Sequence, residues 1–234
     1  MKQVLQNYKG GDLHVGEVPS PTIQPQGVLV RNHYSVVSPG TERATLQFAH
    51  QSLVGKAKRR PDLVRQTLNA MRTNGVLSTL RTVRQRLDTL VPLGYSSAGH
   101  VVEMGQEVED LTHGQLVACA GGGYACHAEV VYVPRNLVVR VPENVSPQDA
   151  AFANLGAIAL HGIRRAGLTP GEMVAVIGLG LIGQLTVQIL RAYGYPVLGL
   201  DTSPQRVAQT VKLGLEDTVL LEEESVERVT ATFT

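Results

Sequence analysis

Cysteine is nearly missing from this chain: Cys119 and Cys126 are the two present among 234 residues. Two thiols cannot build the disulfide framework of a small secreted domain, so a reducing cytoplasm is the expected setting. Long apolar runs are missing as well. The most apolar stretch, "MVAVIGLGLIGQLTVQIL", is broken by three glycines, two glutamines and a threonine, whereas a membrane span needs roughly 20 predominantly apolar residues. The N-terminus, "MKQVLQNYKGGD", has no apolar run behind its lysine and does not read as a signal peptide. Nor is one sign of charge in excess, since the formal net charge is +1. A soluble protein without a membrane partner is the expectation.

What remains is ordinary globular material, 43% hydrophobic and 18% charged, with length for one large or two modest domains. The near-neutral total hides an asymmetry. Residues 46–92 carry nine Lys or Arg against Asp62 and Asp88, which is +7 and leaves −6 for the rest.

The first 45 residues alternate short apolar runs with turn residues: "KQVLQ", "LHVGEVP", "GVLVRNHYSVVSPG". This period-two texture predicts β-strands, and it returns at "AGHVVEMG", "QLVACAGGG", "HAEVVYVP" and "LVVRVPENV". The basic segment between them reads as helical. Pro61 and Asp62 suit a first turn, followed by Val64, Leu68 and Met71 at helical spacing. After Asn74-Gly75, Ser78 can cap a second helix with Leu80, Val83, Leu87 and Leu90 along one face. A helical hairpin inserted at about 46–90 into a β domain spanning 1–146 is therefore expected. From 147 to 234 the pattern changes to "SPQDAAFANLGAIALHGIRRAG", read as a small-residue helix, and then to strands alternating with helices. That succession predicts a doubly wound parallel sheet.

Gly178, Leu179, Gly180, Leu181, Ile182 and Gly183 spell "GLGLIG", a G-x-G-x-x-G between an apolar strand and an amphipathic helix. Asp201 closes the next strand, eighteen residues after Gly183. In that context the first glycine makes the tight turn, the second admits a pyrophosphate, and the third lets helix and strand pack closely. The helix N-terminus offers N–H groups and partial positive charge to the phosphates. Asp201 would accept from the adenosine ribose hydroxyls and repel a 2′-phosphate, favouring NAD over NADP, a preference that Arg206 tempers.

With this loop behind a β domain, the chain resembles the medium-chain dehydrogenase/reductase superfamily, the zinc-type alcohol dehydrogenases and their kin. The resemblance covers 1–45 and 91–234, through "GVLVRNHYSVVSPGTE", "LGYSSAGHVVEMGQEV" and "AEVVYVPRNLVVRVPENVS". It implies a GroES-like domain followed by a Rossmann NAD(P)-binding domain. The "VSPGTE" variant and the basic insertion resemble more particularly a bacterial subgroup fused to a Gfo/Idh/MocA-like oxidoreductase domain. On that resemblance the chain is expected to be an N-terminal portion carrying part of its Rossmann fold.

The family's metal ligands do not carry over. Ser38 and Pro39 precede Gly40-Thr41-Glu42 where the family has a Cys, and Tyr95 stands in place of its His. The interdomain helix offers only His161 for the third ligand, and there is no four-cysteine lobe. No zinc is expected. For the chemistry, the resemblance implies that Thr41 matches a Ser or Thr hydroxyl beside the substrate oxygen. Tyr95 could donate a hydrogen bond, with Ser38 and Glu42 flanking the site. Alternatively, Tyr95 only fills the vacated space and Thr41 only caps a turn. Cys126-His127 reads as packing, and His33, His50, His100 and His113 read as structural or surface residues.

The expected function is zinc-independent, NAD(P)-dependent oxidation of an alcohol or sugar, or reduction of the carbonyl form, in the cytoplasm, as a possible homo-oligomer. One alternative is a non-catalytic nucleotide-binding module that positions a fused domain. Another is nucleic-acid association through the basic hairpin, a segment read first as a solvated helical face and next as a lid or interface with a partner domain.

Overall fold

The computed structural model describes residues 1–7, 12–49 (45–49 by backbone alone), 69, 75 and 90–221. Contacts divide the chain after Phe152 into two compact units.

In the first unit, β1 (Lys2–Asn7) lies between β2 (Leu13–Glu17) and β4 (Leu90–Pro92), all antiparallel. Leu90, expected on a helix face, is thus a strand residue opposite Asn7. Its backbone satisfies the otherwise open edge of β1, a non-local pairing that outweighs helical spacing. The expected hairpin residues Pro61, Asp62, Val64, Leu68, Met71, Ser78, Leu80, Val83 and Leu87 lie outside the described residues, as does His50.

A five-stranded antiparallel sheet completes the unit: β3 (Gly27–Ser35), β5 (Ser96–Met104), β6 (Leu116–Ala120), β7 (Val130–Pro134) and β8 (Val138–Arg140), in the order β7-β3-β5-β6-β8. Valines dominate its core (Val28, Val30, Val101, Val117, Val131 and Val133), as β-branched side chains suit a pleated, buried surface. β3 occupies the middle of the sheet, and its pairing with β5 slips between Asn32 and Tyr34. Such a bulge re-aims the residues beyond it, here Tyr34 and Ser35, just before α1 (Pro39–Ala49) begins.

The single small-residue helix expected from 147 is two helices, α2 (Pro147–Ala150) and α3 (Ala153–Ala166). Ser146 caps α2 by accepting from the Asp149 N–H at 3.1 Å, and Pro147 follows at the first helical position. The Ser96 hydroxyl donates to the Ala151 carbonyl at 2.6 Å. That bond ties the break to β5 and takes the carbonyl that a continuous helix would use.

The second unit begins with α3 and alternates β9 (Val174–Ile177), α4 (Leu181–Ala192), β10 (Val197–Asp201), α5 (Pro204–Lys212) and β11 (Thr218–Leu220). Its sheet is parallel in the order β11-β10-β9, as the alternation of elements predicts. All five residues of β10 are buried, which a central parallel strand requires. Ile163, Val176, Leu179, Val187, Leu190 and Val197 form the core around it. Fully burying an aliphatic side chain of this kind contributes about 1.5–3 kcal/mol. Among the described residues no helix is long and apolar enough to cross a membrane.

Candidate functional site

The first constellation is the loop from β9 into α4. Gly178 has φ +95°, a conformation that L side chains rarely adopt, so the chain turns sharply there. A Cβ at Gly183 would lie 1.8 Å from the Gly178 carbonyl oxygen, so only glycine allows the first turn of α4 to close on the loop. At Gly180 an added Cβ would meet nothing within 4 Å, which leaves that side of the backbone open. Gly180 is also the N-cap of α4 and provides no side-chain cap. The first N–H groups of α4 therefore keep their capacity to donate, with the partial positive charge of a helix N-terminus behind them. Leu181 and Ile182 occupy this first turn, both half-buried.

Asp201, at the end of β10, is 4% exposed and turns its carboxylate to the loop. The Leu179 N–H donates to Oδ2 at 2.7 Å and the Ser203 N–H to Oδ1 at 2.8 Å. Burial alone would raise its pKa, but these two donors and Arg206 outweigh it and hold the carboxyl below its ordinary value. Arg206 Nη1 lies 3.4 Å from Oδ2 while its own side chain is mostly exposed. Gln184 braces the arrangement by donating to Thr210 Oγ1 at 2.6 Å and to the Leu179 carbonyl at 3.2 Å. The carboxylate expected to meet a ribose is thus also the tie that fixes the glycine loop. Oδ1, which takes only the Ser203 N–H among these donors, retains a lone pair for a further one.

The second constellation lies in the first unit, at the N-terminus of α1. The Ser38 carbonyl accepts the first helical bond from the Glu42 N–H at 2.9 Å, and the Ser38 N–H donates to Glu42 Oε1 at 3.0 Å. This reciprocal cap, with Pro39 between, explains the local helix start within "VSPGTE". Thr41 is exposed on the same turn, and Tyr95 is half-buried at the entry to β5. The Tyr95 carbonyl accepts from the Gly121 N–H at 3.0 Å.

His127, expected to be packing, joins this group. Its Nε2 lies 3.3 and 3.4 Å from the two Glu42 oxygens, and its Nδ1 lies 2.8 Å from Ser35 Oγ. Its backbone is held on both sides: its N–H donates to the Leu93 carbonyl, and its carbonyl accepts from the Val4 N–H, each at 2.8 Å. Asn32 Nδ2 donates to the flanking Cys126 and Ala128 carbonyls at 3.2 and 2.9 Å. Gly94, at φ +94°, lets the chain pass the ring; a Cβ there would lie 2.7 Å from the His127 nitrogen and 2.9 Å from ring atoms. The structure thus brings together Ser38 and Glu42 and adds Ser35 and His127. The sequence carries no signal for the additions, because His127 is 92 residues from Ser35 and 85 from Glu42.

Two other histidines expected to be unremarkable also meet: His100 Nδ1 lies 2.8 Å from His33 Nε2. Cys119 is buried in β6 with its thiol pushed up to about 12 by desolvation, and burial also raises Cys126. Among the described residues, no group of three or more His, Cys, Asp or Glu is placed to hold a metal ion.

A GroES-like β unit and a βαβαβ half-sheet with a glycine turn define the fold class. The fold is that of the medium-chain alcohol dehydrogenases. Galactitol-1-phosphate dehydrogenase of Escherichia coli superposes with a TM-score of 0.73 at 21% identity, covering 100% of this chain and 65% of that one. Escherichia coli quinone oxidoreductase, solved in complex with NADPH, gives 0.73 at 17% identity, covering 100% and 63%. Among curated sequences, L-galactonate-5-dehydrogenase of Escherichia coli (strain K12) is 32% identical over 154 residues, which is 53% of this chain and 45% of the relative. The chain spans a little under half the length of such relatives. No family model matches it. The structures show the fold, and the curated sequences the chain is similar to are named sugar and alcohol dehydrogenases.

Proposed function

We propose that this chain is an NAD(P)-dependent oxidoreductase module that interconverts an alcohol or sugar and its carbonyl form without zinc. The observation that carries this reading is the glycine loop. Its left-handed Gly178, its close-packed Gly183 and the uncapped start of α4 form a cradle suited to a pyrophosphate. Backbone groups of Gly178, Leu179, Gly180, Leu181, Ile182 and Gly183 would line it. Asp201 would take the ribose hydroxyls, its charge favouring NAD, and the nearby Arg206 keeps NADP possible. When bound, the dinucleotide accepts or supplies the hydride. The chain's own residues orient the substrate: the Thr41 hydroxyl, on a turn held by Ser38 and Glu42, and the Tyr95 phenol, at the entry to β5, would hydrogen-bond the substrate oxygen.

Residue chemistry supports the zinc-independent reading. A serine, a proline and a tyrosine occupy the positions where the resemblance would put two of three ligands, and Zn²⁺ is held by Cys, His and carboxylates. A cytoplasmic enzyme with a further Gfo/Idh/MocA-like domain fits the same reading, supported by the "VSPGTE" turn and the basic segment. The test is titration of the protein with NADH, followed by assay of L-galactonate and galactitol 1-phosphate with NAD in the presence of a chelator. NADH binding and chelator-resistant turnover are expected. A chain that binds no dinucleotide, or turnover that the chelator abolishes, would refute it.

A further inference from the structure

Ser35, His127 and Glu42 form a connected line of polar groups from a surface cleft to the buried cap of α1. The cleft has a volume of about 300 Å³ and is lined in part by Lys2, Asn32, Tyr34, Ser35, His127 and Glu129. The His127 and Glu42 side chains are only 9% and 11% exposed. The polar character of the line needs an explanation, because an imidazole and a carboxylate buried together cost more than an apolar pair unless their bonds are satisfied.

The geometry selects one hydrogen-bonding pattern. An ionised Glu42 can only accept, so the ring nitrogen facing it, Nε2, carries the proton. A neutral imidazole then presents Nδ1 as an acceptor, and the Ser35 hydroxyl at 2.8 Å donates to it. Serine and histidine both line the cleft; the histidine is the base bonded to the serine, and the carboxylate fixes the tautomer and stabilises the imidazolium. The surroundings hold the ring still: four backbone and amide bonds pin residues 126–128, and Gly94 closes on the ring face. A preorganised base of this kind costs no reorganisation when charge develops on it. The Glu42 carboxylate has a second duty, since Oε1 also accepts the Ser38 N–H that starts α1. Relay and Thr41 turn therefore share one anchor.

We propose that Ser35, with His127 and Glu42 behind it, is the proton relay of this module. The proposal rests on the dehydrogenase reading for the identity of its substrate, an alcohol. The O–H bond of the alcohol breaks toward Ser35 Oγ, whose own proton passes to His127 Nδ1. The electron pair left on oxygen closes the C=O bond as the carbon's hydride leaves to the nicotinamide dinucleotide that serves as oxidant. Nε2–H stays on the ring, held by Glu42, so one imidazolium–carboxylate pair stores the released proton until water removes it. In reduction the same steps run backwards. Ser35 is the catalytic residue of the three; His127 and Glu42 act through it as positioning residues.

Nitrogen-15 NMR of the histidine rings in the full chain tests the relay without turnover. The His127→Asn variant identifies the resonance. At mildly alkaline pH, His127 is expected as the Nε2–H tautomer with Nδ1 accepting, and Ser35→Ala should move the Nδ1 resonance toward that of an unbonded acceptor. A proton on Nδ1 would overturn the relay outright, because the ring could not then receive one from serine. Kinetics give the second arm, with L-galactonate and galactitol 1-phosphate as probes and NAD as oxidant. Ser35→Ala should lower kcat about 100-fold or more and abolish its solvent isotope effect, while Ser35→Thr restores most of both. Full kcat in Ser35→Ala would overturn the relay. If neither probe is oxidised while the tautomer and the Ser35→Ala shift are as expected, the dehydrogenase reading fails and the relay stands.

Discussion

Replacing Asp201 with Ala tests the second unit where sequence motif and structure overlap. The change removes the acceptor of two backbone donors, the Leu179 N–H at 2.7 Å and the Ser203 N–H at 2.8 Å. Leu179 is 1% exposed, so no water replaces the lost partner. A hydrogen bond to a charged group contributes about 1.5–3 kcal/mol, and a stranded buried donor costs about 1–3 kcal/mol. Arg206 adds little, because its guanidinium is mostly in water. The variant is therefore expected to lose about 3–5 kcal/mol, a large share of a typical domain's stability of about 5–15 kcal/mol. Asp201→Asn, which keeps one acceptor, should lose about half as much. The effect has a pH signature. The folded carboxyl titrates below its ordinary 3.8, because its donors outweigh burial. Its contribution is thus fully present above that value and disappears as pH falls through the lower folded one. Wild type and Asp201→Asn should accordingly converge in acid and stay apart at neutral pH. Denaturant unfolding and hydrogen exchange at the Leu179 amide are the assays, with NADH and NADPH titrations alongside. Asp201→Ala should expose the amide, weaken NADH binding and narrow the gap to NADPH. A Leu179 amide as protected as in wild type, with an unchanged unfolding midpoint, would refute the reasoning.

Three further outcomes are expected. Protein dialysed against a mild chelator should hold far less than one zinc per chain by elemental analysis; about one per chain would overturn zinc-independent chemistry. Cys119 and Cys126 should resist a thiol reagent in the folded protein at neutral pH and react in denaturant, because burial raises both thiols, Cys119 to about 12; prompt labelling of either would contradict their placement. Gly183→Ala puts a Cβ 1.8 Å from the Gly178 oxygen and so displaces the loop. Its ADP-ribose affinity by calorimetry should drop at least tenfold, about 1.4 kcal/mol, and an unchanged Kd would deny the loop its role as a cradle.

The second unit was legible because its determinants are local. The strand "VAVI", the turn at Gly178 and the helix from Leu181 follow one another, and buried strands alternate with amphipathic helices over 174–220. The β strands of the first unit were legible for the same reason, period two being a short-range property. Two readings failed where a tertiary partner outweighed the local pattern. Leu90 matched helical spacing, yet its backbone groups complete the edge of β1. Small residues from 150 to 162 suggested one helix, yet Ser96 reaches from β5 to take the Ala151 carbonyl at 2.6 Å.

The site divides along the same line. Gly178, Gly180, Gly183 and Asp201 announce themselves because they fall within one strand–turn–helix–strand run, where the sharp turn at Gly178 and the close packing at Gly183 require glycine. Glu42 and Ser38 were named for their place beside Thr41, and the reciprocal cap between them is again a contact four residues long. His127 belongs to the other kind. Its surroundings come from β1, the end of β3, the turn into α1 and the segment before β5, and no spacing in one sequence encodes such a meeting. The dipeptide Cys126-His127 invited a reading as packing, and for Cys126, which is 1% exposed, that is its place in the structure. For the histidine the decisive fact is that both ring nitrogens face polar partners while its backbone is pinned on either side. A residue that only filled space would have no use for the carboxylate and hydroxyl on its two ring nitrogens, since an apolar side chain of the same volume would satisfy the packing at lower desolvation cost. The polar line, rather than the residues that match the zinc ligands, is therefore where the proposed proton relay is placed.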